Sequence, residues 1–328
     1  MKKIINDPRQ VVDEMLDGLA FMHGDKVHRI DGFDVIARNT QKSGKVGLVS
    51  GGGSGHEPSH AGFVGRGMLS AAVAGAVFTS PTPDQVLEAI RAADEGAGVF
   101  LVIKNYSGDV MNFEMAQELA EMEGIEVASV VVDDDIAVEN SLYTQGRRGV
   151  AGTLFIHKIL GHAASRGKSL QEIKALADRL VTQVHTVGLA LSGATVPEVG
   201  KPGFVLADDE IEFGIGIHGE PGYRKEKMQS SRDLAKEMVT KLLDSFEDHT
   251  KPFAFLINGM GATPLMELYV FANDVAGLLE EAGIRVAYKK IGNFMTSIDM
   301  AGLSLSMMAL EEDDWRVALD SPVYVIAW

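Results

Sequence analysis

A run of glycines at the end of a predicted strand constrains this chain more than any other feature. Four of the five residues from 51 to 55 are glycine, and they follow the apolar segment Val46–Ser50. Glycines bury no side chain and lose much backbone entropy on folding, so such a run is poorly suited to a core. It instead offers bare backbone amides and room for a close approach. The pattern therefore predicts a binding loop, with His56 at its far end and a helix beginning at Pro58.

A second glycine-rich segment lies far along the chain and also ends on a histidine. From Ile211 to Ile217 the odd positions are apolar, whereas the even positions hold Glu212, two glycines and then His218. In a strand these two sets face opposite sides. We therefore expect a strand over 211–217 whose glycines leave a pocket beside His218. Together, the two segments suggest one small-molecule site built from distant parts of the chain.

Apolar strands that alternate with helical patterns predict an α/β fold. Unbroken apolar segments such as Val99–Ile103 and Val127–Val132 are typical of sheets covered by helices. With 328 residues, the chain exceeds the usual ~100–200 residues of one domain. We predict two α/β domains, residues 1–184 and 185–328, each with a largely parallel or mixed sheet and covering helices. A last strand, Val323–Ile326, is placed in the second sheet but could return to either domain.

Three helix starts follow from capping residues. Asp7 precedes Pro8 in the pattern of a cap followed by proline at the first helical position. Two segments have the form of a capping box, Thr82–Gln85 and Ser169–Glu172.

Composition excludes several classes of protein. A net charge of −16 opposes binding to nucleic acid and to anionic membranes. The absence of cysteine excludes disulfides and thiolate chemistry. No apolar run reaches the roughly 18 residues that a membrane span needs, and the start of the chain does not have the pattern of a signal peptide. We expect a cytoplasmic protein with no nucleic-acid or membrane partner.

Familiar ligand motifs do not account for the glycine run. Neither the phosphate-binding Walker A pattern nor the dinucleotide fingerprint matches it. Residues 56–60, His-Glu-Pro-Ser-His, have the form of the zinc-protease signature. That signature needs both histidines on one face of a continuous helix, which Pro58 disfavours. We expect no metal on this chain.

A third segment, Lys104–Asp109, follows the strand Val99–Ile103. Open α/β sheets bind ligands at the carboxyl ends of their strands. Asp109 would cap or begin the next helix, and capping alone could explain it. The positive helix end would also lower its basicity. Because this segment coincides with the other two, Lys104 and Asp109 are candidates for the same site.

These three segments resemble a known family. Gly-Gly-Gly-Ser-Gly-His-Glu-Pro (51–58), Lys-Asn-Tyr-Ser-Gly-Asp (104–109) and Gly-Ile-His-Gly-Glu-Pro-Gly (216–222) resemble the dihydroxyacetone-binding subunit of dihydroxyacetone kinases. The resemblance runs from Pro8 to Trp328. Single-chain, ATP-dependent members continue into a nucleotide-binding domain. This sequence is similar instead to the separate subunit of the phosphotransferase-system (PTS)-dependent kinases.

The resemblance implies a role for each matching residue. His218 would attack the ketone carbonyl through a ring nitrogen and hold dihydroxyacetone as a covalent hemiaminal. His56 would hydrogen-bond the substrate and assist proton transfer. Asp109 would accept the proton of the terminal hydroxyl as that oxygen attacks phosphorus. The implied substrate-binding residues are Gly53, Ser54, Gly55, His56, Lys104, Gly108, Asp109 and His218.

The resemblance also implies partners. It predicts a homodimer that works with a kinase subunit holding ADP and Mg²⁺, which a PTS phosphoryl donor recharges; this chain itself would bind no cofactor. The alternative is a dihydroxyacetone-sensing paralogue that coactivates transcription. Such a sensor would also need His218, but the presence of His56 and Asp109 favours the kinase. A zinc hydrolase is a third hypothesis, and it would carry stoichiometric zinc.

Overall fold

The computed structural model describes residues 2–40, 43–138 and 144–328. Two six-stranded sheets form its framework. The strands of the first sheet are β1 (Val27–Arg29), β2 (Val35–Arg38), β3 (Gly47–Ser54), β4 (Ala71–Val77), β5 (Val99–Lys104) and β6 (Val127–Val132). Their spatial order is β1-β2-β4-β3-β5-β6. The four strands from β4 to β6 run parallel, and β1 and β2 add an antiparallel edge.

Helices cover both faces of the first sheet because alternate residues of its buried strands point to opposite sides. In β5, Phe100 and Val102 join one apolar cluster, whereas Val99, Leu101 and Ile103 join another. The helices are α1 (Val11–Met22), α2 (Pro83–Ala93), α3 (Ser107–Met122), α4 (Thr153–Ser165) and α5 (Leu170–Leu180). Apolar residues of α2 and α3 pack on one face, and those of α1, α4 and α5 pack on the other.

The second sheet is also mixed. Its strands are β7 (Val184–Ala190), β8 (Glu210–Phe213), β9 (Arg224–Lys227), β10 (Phe253–Gly259), β11 (Val286–Gly292) and β12 (Gly302–Ala309), in the order β11-β10-β12-β7-β8-β9. Only β10 and β11 pair in parallel among these described strands. The helices of this part are α6 (Ser231–Leu243), α7 (Leu265–Glu281) and α8 (Asp313–Asp320). The predicted α/β class with mixed sheets is confirmed.

The two sheets share part of their core. One apolar cluster contains Leu154 and Phe155 of α4 together with Leu256 of β10, Met308 of β12 and Trp315 of α8. The first sheet is complete at Val132 and the second begins at Val184. The division into domains 1–184 and 185–328 stays a prediction.

The predicted glycine loop is in fact the end of strand β3. Gly51 lies opposite Val73 of β4, and Gly53 lies opposite Gly75. A side chain at Gly51 would overlap the Val73 side chain and carbonyl oxygen. The glycines therefore allow close strand packing rather than form a flexible loop.

The helix predicted to begin at Pro58 is absent. A turn follows His56, and then a single 3₁₀ turn spans Ala61–Phe63. Backbone carbonyls at this position accept hydrogen bonds from a distant segment and not from a following helical turn. The Thr296 N–H donates to His56 O at 3.2 Å, and the Ile298 N–H donates to Gly55 O at 2.7 Å.

The strand predicted over 211–217 ends at Phe213. All seven residues of that segment are buried, so the expected division into a buried and an open face is wrong. Glu212, expected on the open face, is buried because its carboxylate accepts the Gly222 N–H at 2.8 Å. Gly214 then turns the chain with φ at +75°. His218 is therefore presented by a turn and not by a strand.

The last predicted strand, Val323–Ile326, is not part of the second sheet. Tyr324 forms an isolated bridge with Arg66, and the Ile326 N–H donates to Gly62 O at 3.1 Å. The segment thus returns to the first part of the chain.

All three predicted helix starts are present, and α2 begins at Pro83 after Thr82 as its N-cap. Asp7 accepts from Arg9 N–H before a 3₁₀ turn that leads into α1. The capping box of Ser169 and Glu172 is complete. The capping box predicted at Thr82 is nevertheless wrong: the Thr82 side chain makes no cap hydrogen bond, and the side-chain oxygen of Gln85 accepts the Asp34 N–H at 2.8 Å. Within the described ranges, no helix has the length and apolar character that crossing a membrane requires.

Two helical glycines should respond oppositely to alanine. A Cβ at Gly161 in α4 would overlap the Gly67 carbonyl and the Met68 Cα, whereas a Cβ at Gly18 in α1 has no neighbour within 4 Å. We expect Gly161→Ala to lower the free energy of unfolding by about 1–3 kcal/mol through overpacking. Gly18→Ala should raise it by about 0.5–1 kcal/mol through helix propensity. Denaturant titration of both variants measures this, and equal shifts would contradict the packing of α4.

Candidate functional site

A cleft of about 550 Å³ brings together segments that follow the two sheets. Gly53 from the end of β3, Phe78 and Ser80 after β4, and residues 106–109 after β5 line it from the first sheet. Residues 218–221, after β8, complete the wall. The carboxyl ends of parallel β3 and β5 therefore lie beside the turn that carries His218.

The Glu220 carboxylate holds the imidazole of His218. It accepts the backbone N–H of His218 at 2.5 Å, and its other oxygen lies 2.7 Å from Nδ1. Burial alone would raise the pKa of Glu220, but His218, the hydrogen bonds from it and Arg148 together lower that pKa to about 2. The carboxylate is therefore ionised and Nδ1 is the donor. In the neutral form of the ring, this leaves Nε2 as the nitrogen with the free lone pair.

Three rings surround that imidazole edge to face. The ring centroids of His56 and Tyr106 each lie 4.6 Å from that of His218, and the Phe78 centroid lies 5.2 Å away. Because these rings are nearly perpendicular to it, at 74° to 85°, they restrict its rotation. The nucleophile candidate is thus held by packing as well as by a hydrogen bond.

His56 is buried with one nitrogen unused. Its Nδ1 lies 2.7 Å from the carbonyl oxygen of Thr296, which can only accept, so Nδ1 carries the proton. Nε2 has no hydrogen-bond partner among the described residues. Burial lowers the pKa of His56 well below the usual imidazole range; a proton on His218 would lower it further, as the charge of Lys104 does. The ring is therefore neutral, and its Nε2 can accept a proton or a hydrogen bond.

Lys104 and Asp109 form a buried ion pair beneath the glycines. The Lys104 Nζ donates to Gly51 O at 3.0 Å and to Asp109 Oδ2 at 3.2 Å. A side chain at Gly52 would overlap this ammonium group. The other oxygen of Asp109, Oδ1, is unpartnered within the described part of the chain. Asp109 thus offers one carboxylate oxygen at the edge of the cleft.

The structure brings together most of the residues singled out by sequence. Gly53, Gly108, Asp109 and His218 line the cleft, while Lys104 and His56 contact lining residues from behind. A Cβ at Gly108 would lie 2.7 Å from Ser80 Oγ, which explains the glycine there. Asp109 does not cap α3, because Tyr106 occupies the cap and Asp109 lies in the first turn.

Besides His56 and Lys104, two further predicted substrate-binding residues, Ser54 and Gly55, lie outside the lining of the cleft. The Ser54 hydroxyl donates to Gly75 O at 2.7 Å. The Gly55 N–H donates to the Glu57 carboxylate at 3.1 Å. Both groups are engaged in local structure.

Sequence reasoning missed other lining residues. Glu220 stands two positions after His218 in a Gly-Glu-Pro-Gly turn, and an acid that close to a candidate nucleophile could have been noticed. Tyr106 lies inside the quoted segment 104–109 but received no role. Phe78 and Ser80 belong to no recognisable sequence motif. They line the cleft because they follow β4, which pairs with β3.

The zinc signature lacks its required geometry. Residues 56–60 are not helical, so His56 and His60 do not share a helix face. Nδ1 of His60 lies 3.0 Å from Nε2 of His157 instead. Over residues 2–40, 43–138 and 144–328, no group of three or more potential ligands is arranged to hold a metal ion.

Curated relatives are similar over their full length. The dihydroxyacetone-binding subunit DhaK of the PTS-dependent dihydroxyacetone kinase from Lactococcus lactis is 65% identical over 328 residues, with 100% of this chain and 99% of the relative covered. The corresponding subunit of kinase 1 from Listeria innocua is 60% identical over 333 residues, with 100% of both covered.

Solved structures have the same fold. The dihydroxyacetone kinase operon co-activator DhaQ superposes with a TM-score of 0.92 at 43% identity, over 98% of this chain and 99% of its own. The dihydroxyacetone kinase from C. freundii, in complex with AMP-PNP and Mg²⁺, gives a TM-score of 0.92 at 34% identity. It matches 100% of this chain but only 60% of its own.

The family model described as the Dak1 domain matches residues 17–327. With nearly the whole sequence covered by that model and by relatives of this identity, the chain belongs to the Dak1 domain family.

Proposed function

We propose that this chain is the dihydroxyacetone-binding subunit of a PTS-dependent dihydroxyacetone kinase. It holds dihydroxyacetone on His218 while a separate subunit transfers phosphate to a terminal hydroxyl, giving dihydroxyacetone phosphate. The observation that carries the proposal is that His218 lines a cleft together with Asp109 while its Nδ1 is held by Glu220, which leaves Nε2 as the nitrogen available for attack. Relatives named for this subunit, at 65% and 60% identity, support it.

Capture of the ketone uses the lone pair of Nε2. Attack on C2 of dihydroxyacetone forms an N–C bond and moves the carbonyl π electrons onto oxygen. That oxygen takes up one proton from solvent, for which Nε2 of neutral His56 offers a relay. The product is a hemiaminal whose imidazolium keeps its Nδ1 proton against the Glu220 carboxylate. Glycerol has no carbonyl to attack, so the covalent step selects for the ketone.

Phosphoryl transfer then depends mainly on position. The tether fixes the terminal hydroxyl in the cleft, and such fixation replaces a costly bimolecular encounter. As the hydroxyl oxygen bonds to phosphorus and the bond from phosphorus to the donor breaks, the proton passes to the carboxylate of Asp109. A loose transition state releases that proton late, so a weak base is sufficient. Lys104 holds the other oxygen of Asp109 in place.

The phosphoryl donor lies outside this chain in the proposal. ADP and Mg²⁺ belong to the kinase subunit, and a PTS phosphoryl donor rephosphorylates the bound ADP. No cofactor is assigned to this chain. We also propose a homodimer located in the cytoplasm. The relatives' names support the division of labour, because they describe a binding subunit of a PTS-dependent kinase.

A dihydroxyacetone-sensing coactivator is the second candidate. The co-activator DhaQ shares the fold at a TM-score of 0.92, although its identity of 43% is lower than that of the kinase subunits. A sensor would bind the ketone without supporting phosphate transfer. An assay with the partner kinase subunit and its phosphoryl donor therefore separates the two functions.

Replacing His218 should abolish covalent capture. With dihydroxyacetone labelled with carbon-13 at C2, wild-type protein should give a tetrahedral carbon resonance distinct from that of the free hydrate. His218→Ala should lose this resonance because no nucleophile remains. The control is His249→Ala, which removes an exposed histidine whose Nε2 lies 2.9 Å from Leu243 O. A wild-type spectrum with only free ketone and hydrate would contradict the proposal.

Replacing Asp109 should separate binding from transfer. We expect Asp109→Asn to keep the adduct resonance but to slow phosphate transfer by at least about 10²-fold, the usual contribution of a general base. The control is Asp84→Asn, an exposed acid in the first turn of α2. Transfer rates are measured with the kinase subunit in excess. Near-normal turnover of Asp109→Asn would rule out the role given to this carboxylate.

A further inference from the structure

We infer that Glu220, which lies near Arg148 over Gly216, is a positioning residue that fixes the tautomer of His218. The inference rests on the proposed function for its catalytic meaning, because it explains why Nε2 rather than Nδ1 is the attacking nitrogen. The tautomer itself is a property of the free protein. It can therefore be tested without any substrate.

Only a carboxylate satisfies both donors of His218. One oxygen of Glu220 accepts the backbone N–H at 2.5 Å, and the other lies 2.7 Å from Nδ1. Both oxygens must therefore be acceptors. A glutamine has one acceptor and one donor. If its carbonyl keeps the backbone N–H, its amide donates to Nδ1, and the proton of the ring is forced onto Nε2.

Arg148 adds a positive charge near this buried carboxylate, beside the larger effect of its contacts with His218. The arginine is fully buried, and it donates from Nε to Asp135 at 2.8 Å and from Nη2 to Gly214 O at 2.6 Å. Its remaining terminal nitrogen, Nη1, has no partner in the described part of the chain. The Asp135 carboxylate forms an ion pair with the Arg148 guanidinium. The positive charge of Arg148 also contributes to lowering the pKa of Glu220.

Gly216 provides the space in which these groups meet. A Cβ on Gly216 would overlap Glu220 Oε2 and would lie 2.8 Å from Arg148 Nη1. The carboxylate and the guanidinium thus approach each other over a backbone that has no side chain. The Gly216 N–H donates to the Glu220 backbone oxygen at 3.2 Å, which closes the turn around His218.

Tyr106 packs against His218 and lies near the charges of Glu220 and Arg148. Its hydroxyl is buried and has no partner among the described residues. Burial raises the pKa of Tyr106 well above its usual value, and the charge of Glu220 raises it further while Arg148 opposes this. The phenol therefore stays protonated, so it cannot take the Nδ1 proton of His218. Glu220 remains the group that orients this ring.

The first test replaces Glu220 and reads the tautomer directly. Nitrogen-15 NMR of histidine-labelled protein, with the His218 signals assigned from His218→Ala, should show Nδ1–H and an unprotonated Nε2 in wild type. Glu220→Gln should shift the proton to Nε2 and lower the adduct formation constant by at least about 10²-fold. An amide in place of the orienting acid costs about 10⁴-fold in a Ser-His-Asp triad, for the same reason.

Glu212→Gln is the matched control. Glu212 is a buried acid in the same part of the chain, and a glutamine carbonyl can still accept the Gly222 N–H that it binds. This variant should keep the wild-type tautomer and adduct. If folded Glu220→Gln keeps Nδ1–H, or forms the adduct as wild type does, the inference is wrong.

A second variant tests the contribution of Arg148. Arg148→Lys retains the charge but not the planar fork, and Arg148→Met removes both. We expect Arg148→Met to give a mixture of tautomers and about 10-fold weaker adduct formation, with Arg148→Lys intermediate. Arg147→Met removes the neighbouring, half-buried arginine that pairs with Asp133 at 3.5 Å and is the control. If Arg148→Met fails to fold, Arg148→Lys is used, and a wild-type tautomer ratio there overturns the role of Arg148.

Failure of the inference and failure of the proposed function give different results. A wild-type protein with Nδ1–H that never forms the adduct would contradict the proposed function and leave the positioning role of Glu220 intact. An adduct on wild type whose free His218 carries its proton on Nε2 would contradict the positioning role alone.

Discussion

Close packing against the glycines of β3 is the constraint on which the whole site depends. Side chains at Gly51 and Gly52 would overlap Val73 and the Lys104 ammonium group, and a Cβ at Gly53 would lie 2.6 Å from Thr79 N. Because those positions are empty, a buried lysine can reach the Gly51 carbonyl and Asp109 together. The backbone of β3 thereby fixes the position of the Lys104 ammonium group at the end of β5.

Local patterns predicted the fold class and the convergence of the three segments. That success has a physical basis, since parallel strands such as β3 and β5 end at the same edge of a sheet. The errors arose where distant groups decide the conformation. The helix expected at Pro58 is replaced by hydrogen bonds from Thr296 and Ile298, some 240 positions away. Periodicity carries no information about such bonds.

The alternation over 211–217 failed for a related reason. A polar residue normally marks the solvated face of a strand, but Glu212 is buried against the Gly222 N–H. The proximity of Arg148 to Glu220 was likewise hidden, because Arg148 lies 72 positions earlier in the chain. A buried ion pair such as Arg148–Asp135 is weak evidence for stability. Its contact with the turn of His218 gives it a functional explanation.

The packing of residues 324–327 against Gly62 and Arg66 affects how the chain folds during synthesis. Tyr324 N–H donates to Arg66 O at 2.9 Å, and the Ile326 and Ala327 N–H groups donate to Gly62 O at 3.1 and 3.0 Å. During synthesis the first sheet leaves the ribosome early, but these bonds form only after residues 324–327 emerge. Contacts of such sequence separation slow folding. The segment after His56, although made early, therefore gains these hydrogen bonds only once residues 324–327 have been synthesised.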